Sequence, residues 1–250
     1  MDFKDLFSSD SRQYATFRPQ YPYDLFQHVS QLCLEHELAW DCATGNGQAA
    51  QQLSHLFKKV IATDPSAAQL AEAYRSDKIE YRKEQAENPS LEKSSVDLLT
   101  IAQALHWFNW DAFYLKANEI LKPGGIMLAL AYGIPKISTE IDELIRQLHN
   151  QTLAPYWEQE RQLVADLYKD VPFPYPEISL PSFYIKKAMT PADLMGYLST
   201  WSGLKKYVAV NDQNPLVDFA FHLEKVWPPS DAVISVEWHL ALKLGRKPTA

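Results

Sequence analysis

Gly45 and Gly47, in the run Leu38-Ala39-Trp40-Asp41-Cys42-Ala43-Thr44-Gly45-Asn46-Gly47-Gln48-Ala49-Ala50, stand between an apolar stretch and a helical one. Asp64 closes the next apolar stretch, Val60-Ile61-Ala62-Thr63. Glycines at this spacing let the backbone turn sharply and lie close to a ligand, and the helix after them turns its first N–H groups toward electron-rich atoms. A carboxylate at the end of the second strand can accept hydrogen bonds from both hydroxyls of a ribose. Strand, glycine loop, helix, strand and acid together describe a nucleoside pocket. Two of only eight glycines fall in this one loop, more than turning alone requires.

The loop by itself leaves the ligand open. Gly45-Asn46-Gly47-Gln48-Ala49-Ala50 also satisfies the dinucleotide fingerprint with alanine in third place, which would describe an NAD(P)-dependent Rossmann oxidoreductase. Such chains usually open with this unit, whereas here residues 1–37 precede it and carry Tyr14-Ala15-Thr16-Phe17-Arg18-Pro19-Gln20-Tyr21-Pro22. Later, Val96-Asp97-Leu98-Leu99-Thr100-Ile101-Ala102 reads as a buried strand. Leu121-Lys122-Pro123-Gly124-Gly125 reads as a helix end and turn before a strand from Ile126 to Tyr132. Together these landmarks resemble the class I S-adenosylmethionine-dependent methyltransferases. The N-terminal signature, Ala104-Leu105-His106-Trp107-Phe108 and Thr200-Trp201-Ser202 narrow the resemblance to the group that includes trans-aconitate-methyltransferase-like proteins.

The resemblance implies S-adenosyl-L-methionine as cofactor and S-adenosyl-L-homocysteine as its product. It places Ala43, Gly45 and Gly47 on the amino-acid portion of the cofactor, Asp64 on the ribose, Gln85 and Ala86 on adenine, and Gln103 at the methionine end. Tyr14 and Arg18 fall on a segment that folds over the cofactor. The superfamily usually has glycine where this chain has Ala43, so the loop is expected to tolerate a methyl group and a negative φ there. Arg18 offers a fork suited to the carboxylate of methionine or of an acidic substrate, or else an ion pair tying the N-terminal segment to the sheet. His106 is a candidate catalytic base or substrate contact, and the Trp107 ring face can favour a sulfonium. The alternative for this pair is a turn cap and a core filler. Tyr156, Trp157 and Trp201 are candidates for the pocket of the methyl acceptor, a small molecule with a carboxylate or hydroxyl oxygen favoured. A catalytically silent S-adenosylmethionine-binding regulatory protein is the non-enzymatic alternative.

The elements that must position these residues are set by periodicity. Short strand segments at Leu38–Asp41, Val60–Thr63, about Ile79–Arg82, Val96–Ala102 and Ile126–Tyr132 alternate with helical stretches, as in a parallel doubly wound sheet. Helices are expected over 23–34, 47–56, from Ser66 onward, from Asn109 or Asp111 to Leu121, over 139–153 and 158–168, from a capped Thr190-Pro191, and over 215–226. Ile234, Val236, Trp238, Leu240, Leu242 and Leu244 alternate with more polar neighbours and predict an antiparallel C-terminal strand. The expected fold is α/β, a doubly wound, mostly parallel seven-stranded sheet of Rossmann-like methyltransferase type with that antiparallel strand and a helical lid insertion. One domain spans 1–250, residues 1–37 lie over the cofactor, and 134–230 form the lid and substrate-pocket elaboration, because seven prolines from Pro135 to Pro191 make it too long for an ordinary connection.

Composition limits the partners. With 24 basic against 31 acidic side chains the net charge is -7, and no Lys/Arg cluster stands out, which argues against nucleic acid. Cys33 and Cys42 lack the paired histidines or acids of a metal site, so no metal is expected and both are expected as buried thiols. The opening Met1-Asp2-Phe3-Lys4-Asp5 lacks a basic and apolar leader, and no apolar run approaches about 20 residues, so a cytoplasmic protein without membrane contact is expected. Oligomeric state is not legible.

Overall fold

The computed structural model describes residues 16–229 and 232–249, so Tyr14 lies outside the described residues. A mixed sheet runs in the order β3-β2-β1-β4-β5-β7-β6, with β1 at Leu38–Cys42, β2 at Lys59–Thr63, β3 at Ile79–Arg82, β4 at Val96–Ala102, β5 at Leu121–Tyr132, β6 at Tyr184–Met189 and β7 at Ile234–Arg246. β1 to β5 pair in parallel. β7 is antiparallel to both β5 and β6, so it alone runs against the rest.

The two faces of the sheet are read from β4 and β5. Leu98, Leu128 and Leu130 point into one core with Leu25, Phe26 and Trp238, while Leu99, Ile101 and Met127 point into the other with Trp40 and Phe113. Being covered on both sides is why β4 is buried from Val96 to Ile101 instead of alternating. α1 (Tyr23–Ser30), α2 (Gln48–Ser54) and the later helices α5 (Thr139–Gln147), α7 (Pro191–Ser199), α8 (Ser202–Asn211) and α9 (Leu216–Val226) cover the first face. α4 (Trp110–Ile120) and the short α6 (Arg161–Ala165) cover the second. α3 (Ala67–Ala71) comes after β2.

Several boundaries differ from the sequence reading for identifiable reasons. The run Leu121 to Gly125 is part of β5, not a turn before it: α4 ends at Ile120, Leu121 pairs with Val96, and the register shifts before Leu98 meets Ile126. Gly124 absorbs the irregularity with φ of 78°. The helix expected over 139–153 ends at Gln147 and continues as a wider π-helical turn, Leu148–Thr152. Segment 134–230 is not lid alone, because β6 within it forms the sheet edge. There Ile185 and Met189 are buried while Tyr184, Lys186 and Ala188 are exposed, the charged exterior that protects an edge. α8 was also not anticipated.

Asp97 anchors the start of β1 from β4. Its Oδ2 accepts the Glu37 and Leu38 N–H groups, both at 2.9 Å, and its Oδ1 meets Lys122 Nζ at 2.6 Å. Lys122 also reaches the exposed Glu35 at 2.8 Å. Asp97→Ala therefore strands two backbone donors and a lysine and is expected to cost about 2–4 kcal/mol. Glu35→Ala, on the solvent side of the same lysine, is expected to cost under about 1 kcal/mol. Urea unfolding of the two variants measures both, and equal losses would show that the buried contacts are not what fixes β1.

Candidate active site

β1 and β4 are neighbours whose connections leave in opposite directions, so a crevice opens beyond their carboxyl ends. Asp41, fully buried on β1, closes its floor. Its carboxylate accepts the Thr44 hydroxyl from the glycine loop, the Thr100 hydroxyl from β4 at 2.8 Å and the Ala50 N–H of α2 at 3.0 Å. Burial outweighs these donors and pushes the carboxyl up to about 6. One of the N–H groups at the start of α2 is thus used by the chain itself.

The loop rises from this floor. Ala43, Gly45 and Gly47 all take positive φ, 55°, 57° and 83°. The expected negative φ at Ala43 is therefore corrected: the loop keeps the left-handed turn glycine would make, and the alanine bears its strain. Gly47 does not line the cavity. It caps α2, and a Cβ there would collide with the Tyr81 hydroxyl. Asp64 holds the loop from β2, its two oxygens accepting the N–H groups of Gly45 at 2.9 Å and Ser66 at 2.8 Å.

These loops line a cavity of about 560 Å³, to which Arg18, Ala43, Gly45, Asp64, Gln85 and Ala86 contribute, together with Gln103, His106 and Trp107. Nine of the sequence-selected residues thus meet in one space. A backbone cradle beside a carboxylate, with small apolar side chains at Ala86, Ala102 and Ala104, fits an adenosine, and the Arg18 guanidinium fits a carboxylate. Gln103 has φ of 56°. Its amide is bonded both ways to the Tyr132 backbone, donating to the carbonyl at 3.0 Å and accepting the N–H at 3.2 Å, so it pins β4 to β5 at the cavity.

A second cavity of about 770 Å³ adjoins the first, sharing Arg18, Tyr132, Arg161 and Val164. Arg18, 5% exposed, donates to the Tyr132 hydroxyl at 3.3 Å and the Thr200 carbonyl at 3.4 Å and lies over the Tyr197 ring at 5.4 Å. Trp157 and Trp201 line this second space, with His149 stacked 4.7 Å from Trp157 and edge-on to Trp201 at 5.4 Å. Tyr156 lines neither cavity; its hydroxyl accepts from Asn211 at 2.8 Å.

His106 sits in the short turn Leu105–Trp107 after β4. Its Nδ1 is 2.9 Å from the Tyr168 hydroxyl, which reaches it because Leu167 and Tyr168 both turn with positive φ, 53° and 58°. Burial, with a smaller effect from Arg161, lowers the imidazole to about 3, so the ring is neutral at physiological pH and does not supply a titration near neutrality. Residues the sequence reading passed over are Asp41, Thr44, Tyr132 and Arg161. A carboxylate inside an apolar strand was the available signal for Asp41, whereas nothing local distinguishes Arg161.

Residues 40–129 match the methyltransferase domain family. A Dictyostelium discoideum protein named as a methyltransferase is 33% identical over 252 residues, covering 98% of this chain and 96% of that protein. Methyltransferase cfoB of Aspergillus candidus is 28% identical over 201 residues, 68% of this chain and 63% of the relative. Among solved structures, one described as a type II methyltransferase from Anaeromyxobacter dehalogenans superposes with a TM-score of 0.87 at 33% identity, over 93% of this chain and all of that one.

The loop generates two expectations. Ala43→Gly removes a left-handed alanine at the cost of extra freedom in the unfolded chain, so it should stabilise the protein by about 0.5–1 kcal/mol in urea unfolding; a loss of stability would show that the alanine methyl packs usefully. The raised Asp41 acid means that between about pH 4 and 6 the folded chain keeps a proton that the unfolded chain has released. Stability must therefore fall as pH rises through that window, by on the order of 3 kcal/mol from this group. Asp41→Asn should remove that dependence, and a stability difference between wild type and variant that stays flat from pH 4 to 7 would refute it.

Proposed function

Because the chain belongs to the class I S-adenosylmethionine-dependent methyltransferases, we propose that the first cavity holds S-adenosylmethionine and the second receives a small-molecule methyl acceptor, with a carboxylate or hydroxyl oxygen as nucleophile. The observation that carries this reading is the wall of Arg18, Tyr132, Arg161 and Val164 common to both spaces, which lets two ligands meet inside the protein. The bound cofactor supplies a methyl group on a positively charged sulfur. The chain's part is to align a nucleophile with that carbon and exclude water.

Each residue then has a defined task. The Asp64 carboxylate, which accepts the Gly45 and Ser66 N–H groups at the rim of the first cavity, is the acid for the ribose hydroxyls. The loop backbone at Ala43 and Gly45 approaches the amino-acid portion, Gln85 and Ala86 flank adenine, and Gln103 holds the wall at the methionine end. Arg18 presents its fork to the methionine carboxylate; Tyr14, outside the described residues, is assigned to the cofactor on the resemblance alone. Trp107 turns a ring face to the sulfonium. His106, neutral and hydrogen-bonded, serves as a contact and not as a base, which favours an acceptor already ionised.

Finer assignments rest on the same residues. Arg18, His106 and Trp201 belong to the three signatures that resemble the trans-aconitate-methyltransferase-like group, and their convergence on the joined cavities supports that reading. We read 1–250 as one domain, with the part of 1–37 that carries Arg18 over the cofactor and α1 instead against the sheet, and with the part of 134–230 that lines the second cavity as its lid. A net charge of -7 supports a small molecule over nucleic acid as partner, and no helix among the described residues is long and apolar enough to cross a membrane. We place the protein in the cytoplasm.

Calorimetry tests the cofactor assignment. S-adenosylhomocysteine should bind and NAD should not. Asp64→Ala should weaken binding by about 1.5–3 kcal/mol, roughly ten- to a hundred-fold, through loss of the ribose acceptor and of the Gly45 tether. Preference for NAD, or an unchanged dissociation constant in the variant, would overturn the assignment.

A further inference from the structure

Gly196 lies inside α7, where glycine weakens a helix relative to alanine. The space left by its missing side chain is taken by Phe17: a Cβ at this position would collide with the Phe17 ring. The next residue of the N-terminal segment, Arg18, is bound to the same helix. It lies over the Tyr197 ring at 5.4 Å and donates to the Thr200 carbonyl at 3.4 Å, one turn beyond Gly196. From β6, Lys187 Nζ donates to the Phe17 carbonyl at 3.3 Å. The helix is itself anchored in the core. Leu194, Tyr197 and Leu198 are buried, and the Tyr197 hydroxyl accepts the Trp238 Nε1–H of β7 at 3.2 Å.

Phe17 is thus half-buried in a notch of an anchored helix, and Arg18 beside it lines both cavities. Arg18 also donates to the Tyr132 hydroxyl, and the Tyr132 backbone is bonded to Gln103, so the seated segment borders the first cavity beside Gln103. Resting on the reading of the first cavity as the S-adenosylmethionine site, we propose that Gly196 is a positioning residue for the cofactor. Its notch seats Phe17, and the seated ring holds the N-terminal segment as the wall that retains the amino-acid portion of the ligand. An alanine there leaves the ring no place, because α7 cannot retreat without breaking its core contacts. The segment then moves off α7 and carries Arg18 with it, and a misplacement of about 1 Å is enough to matter at a ligand. The adenosine end, bordered by the glycine loop and Asp64, is untouched.

The test is calorimetric titration of wild type, Gly196→Ala, Phe17→Ala and the double variant with S-adenosylhomocysteine and with methylthioadenosine, which lacks the amino-acid portion. Wild type should bind S-adenosylhomocysteine at least about ten-fold more tightly than methylthioadenosine. Each single variant should lose about ten-fold for S-adenosylhomocysteine while its affinity for methylthioadenosine stays within about two-fold. The double variant should bind no more weakly than Phe17→Ala, since ring and notch act as one unit. In urea unfolding, Gly196→Ala should lower the midpoint in the wild-type background and raise it in the Phe17→Ala background, where only helix propensity remains. Phe17→Ala fills no space, so it decides the matter even if Gly196→Ala fails to fold. Unchanged S-adenosylhomocysteine affinity in Phe17→Ala, equal losses for the two ligands, or equal binding of both by wild type would overturn the inference. Additive losses in the double variant, or a midpoint raised by Gly196→Ala in the wild-type background, would do the same. Failure of S-adenosylhomocysteine to bind wild type would instead sink the methyltransferase reading of the first cavity.

Discussion

The Asp41 carboxylate lies where two strands part, and four pieces of the chain close on it: β1 through its own backbone, β4 through Thr100, the glycine loop through Thr44 and α2 through the Ala50 N–H. Burying an acid in an apolar sheet is unfavourable by several kcal/mol unless its lone pairs are met. Here three donors meet them, and the acid still rises to about 6. The arrangement is tolerable only with the loop and both strands in place together. A lost stability of this kind gives a fixed geometry in return, because no neighbouring register leaves the carboxylate bonded.

Backbone strain collects around the same point. Ala43 after β1 and Gln103 after β4 are both left-handed, though neither is glycine. Each opens one side of the crevice at the place where the chain must leave its strand abruptly. Gln103 is compensated by its paired bonds to Tyr132 and by its own N–H on Leu130 at 2.8 Å. Ala43 has the Thr44 N–H bond to Thr63 at 2.9 Å immediately beside it. Strain of about 1–2 kcal/mol per such residue persists only where neighbouring bonds over-determine the conformation. Both residues face the first cavity, one at the end of each strand that borders the crevice.

How much of this was legible depends on how far each residue's role is written locally. β4 was read with its ends correct because a mostly apolar run bounded by polar residues has few alternatives, and β3 because Ile79 and Tyr81 alternate with Glu80 and Arg82. Asp64, Gly45 and Gln85 reached one cavity because the glycine loop fixes the order of the strands and turns after it. β6 escaped notice because only Ile185 and Met189 of its residues are buried, too sparse a pattern to read. Tyr156 was selected for its ring and proved to face α8, since the turn 154–156 directs Trp157 inward and Tyr156 away. Arg161 was invisible, as an arginine in a polar helix start carries no signal until Trp157 is placed beneath it.

The low basicity of His106 then takes on a chemical meaning. A general base works best with a pKa near the working pH, and an imidazole held at about 3 is three or more units away. The same burial that disables it as a base makes it a firm wall, because a neutral ring bonded to Tyr168 needs no counterion. Methyl transfer to an ionised oxygen asks for nothing further: the nucleophile arrives deprotonated and the leaving sulfur becomes neutral. In the proposed reading, Asp64 serves the ligand at one end of the first cavity and Arg18 and Arg161 serve it at the junction, while the turn after β4 supplies shape. A hydroxyl acceptor would need a base beside it, and the imidazoles among the described residues that line the two cavities, His106 in the first and His149 in the second, are both lowered by burial.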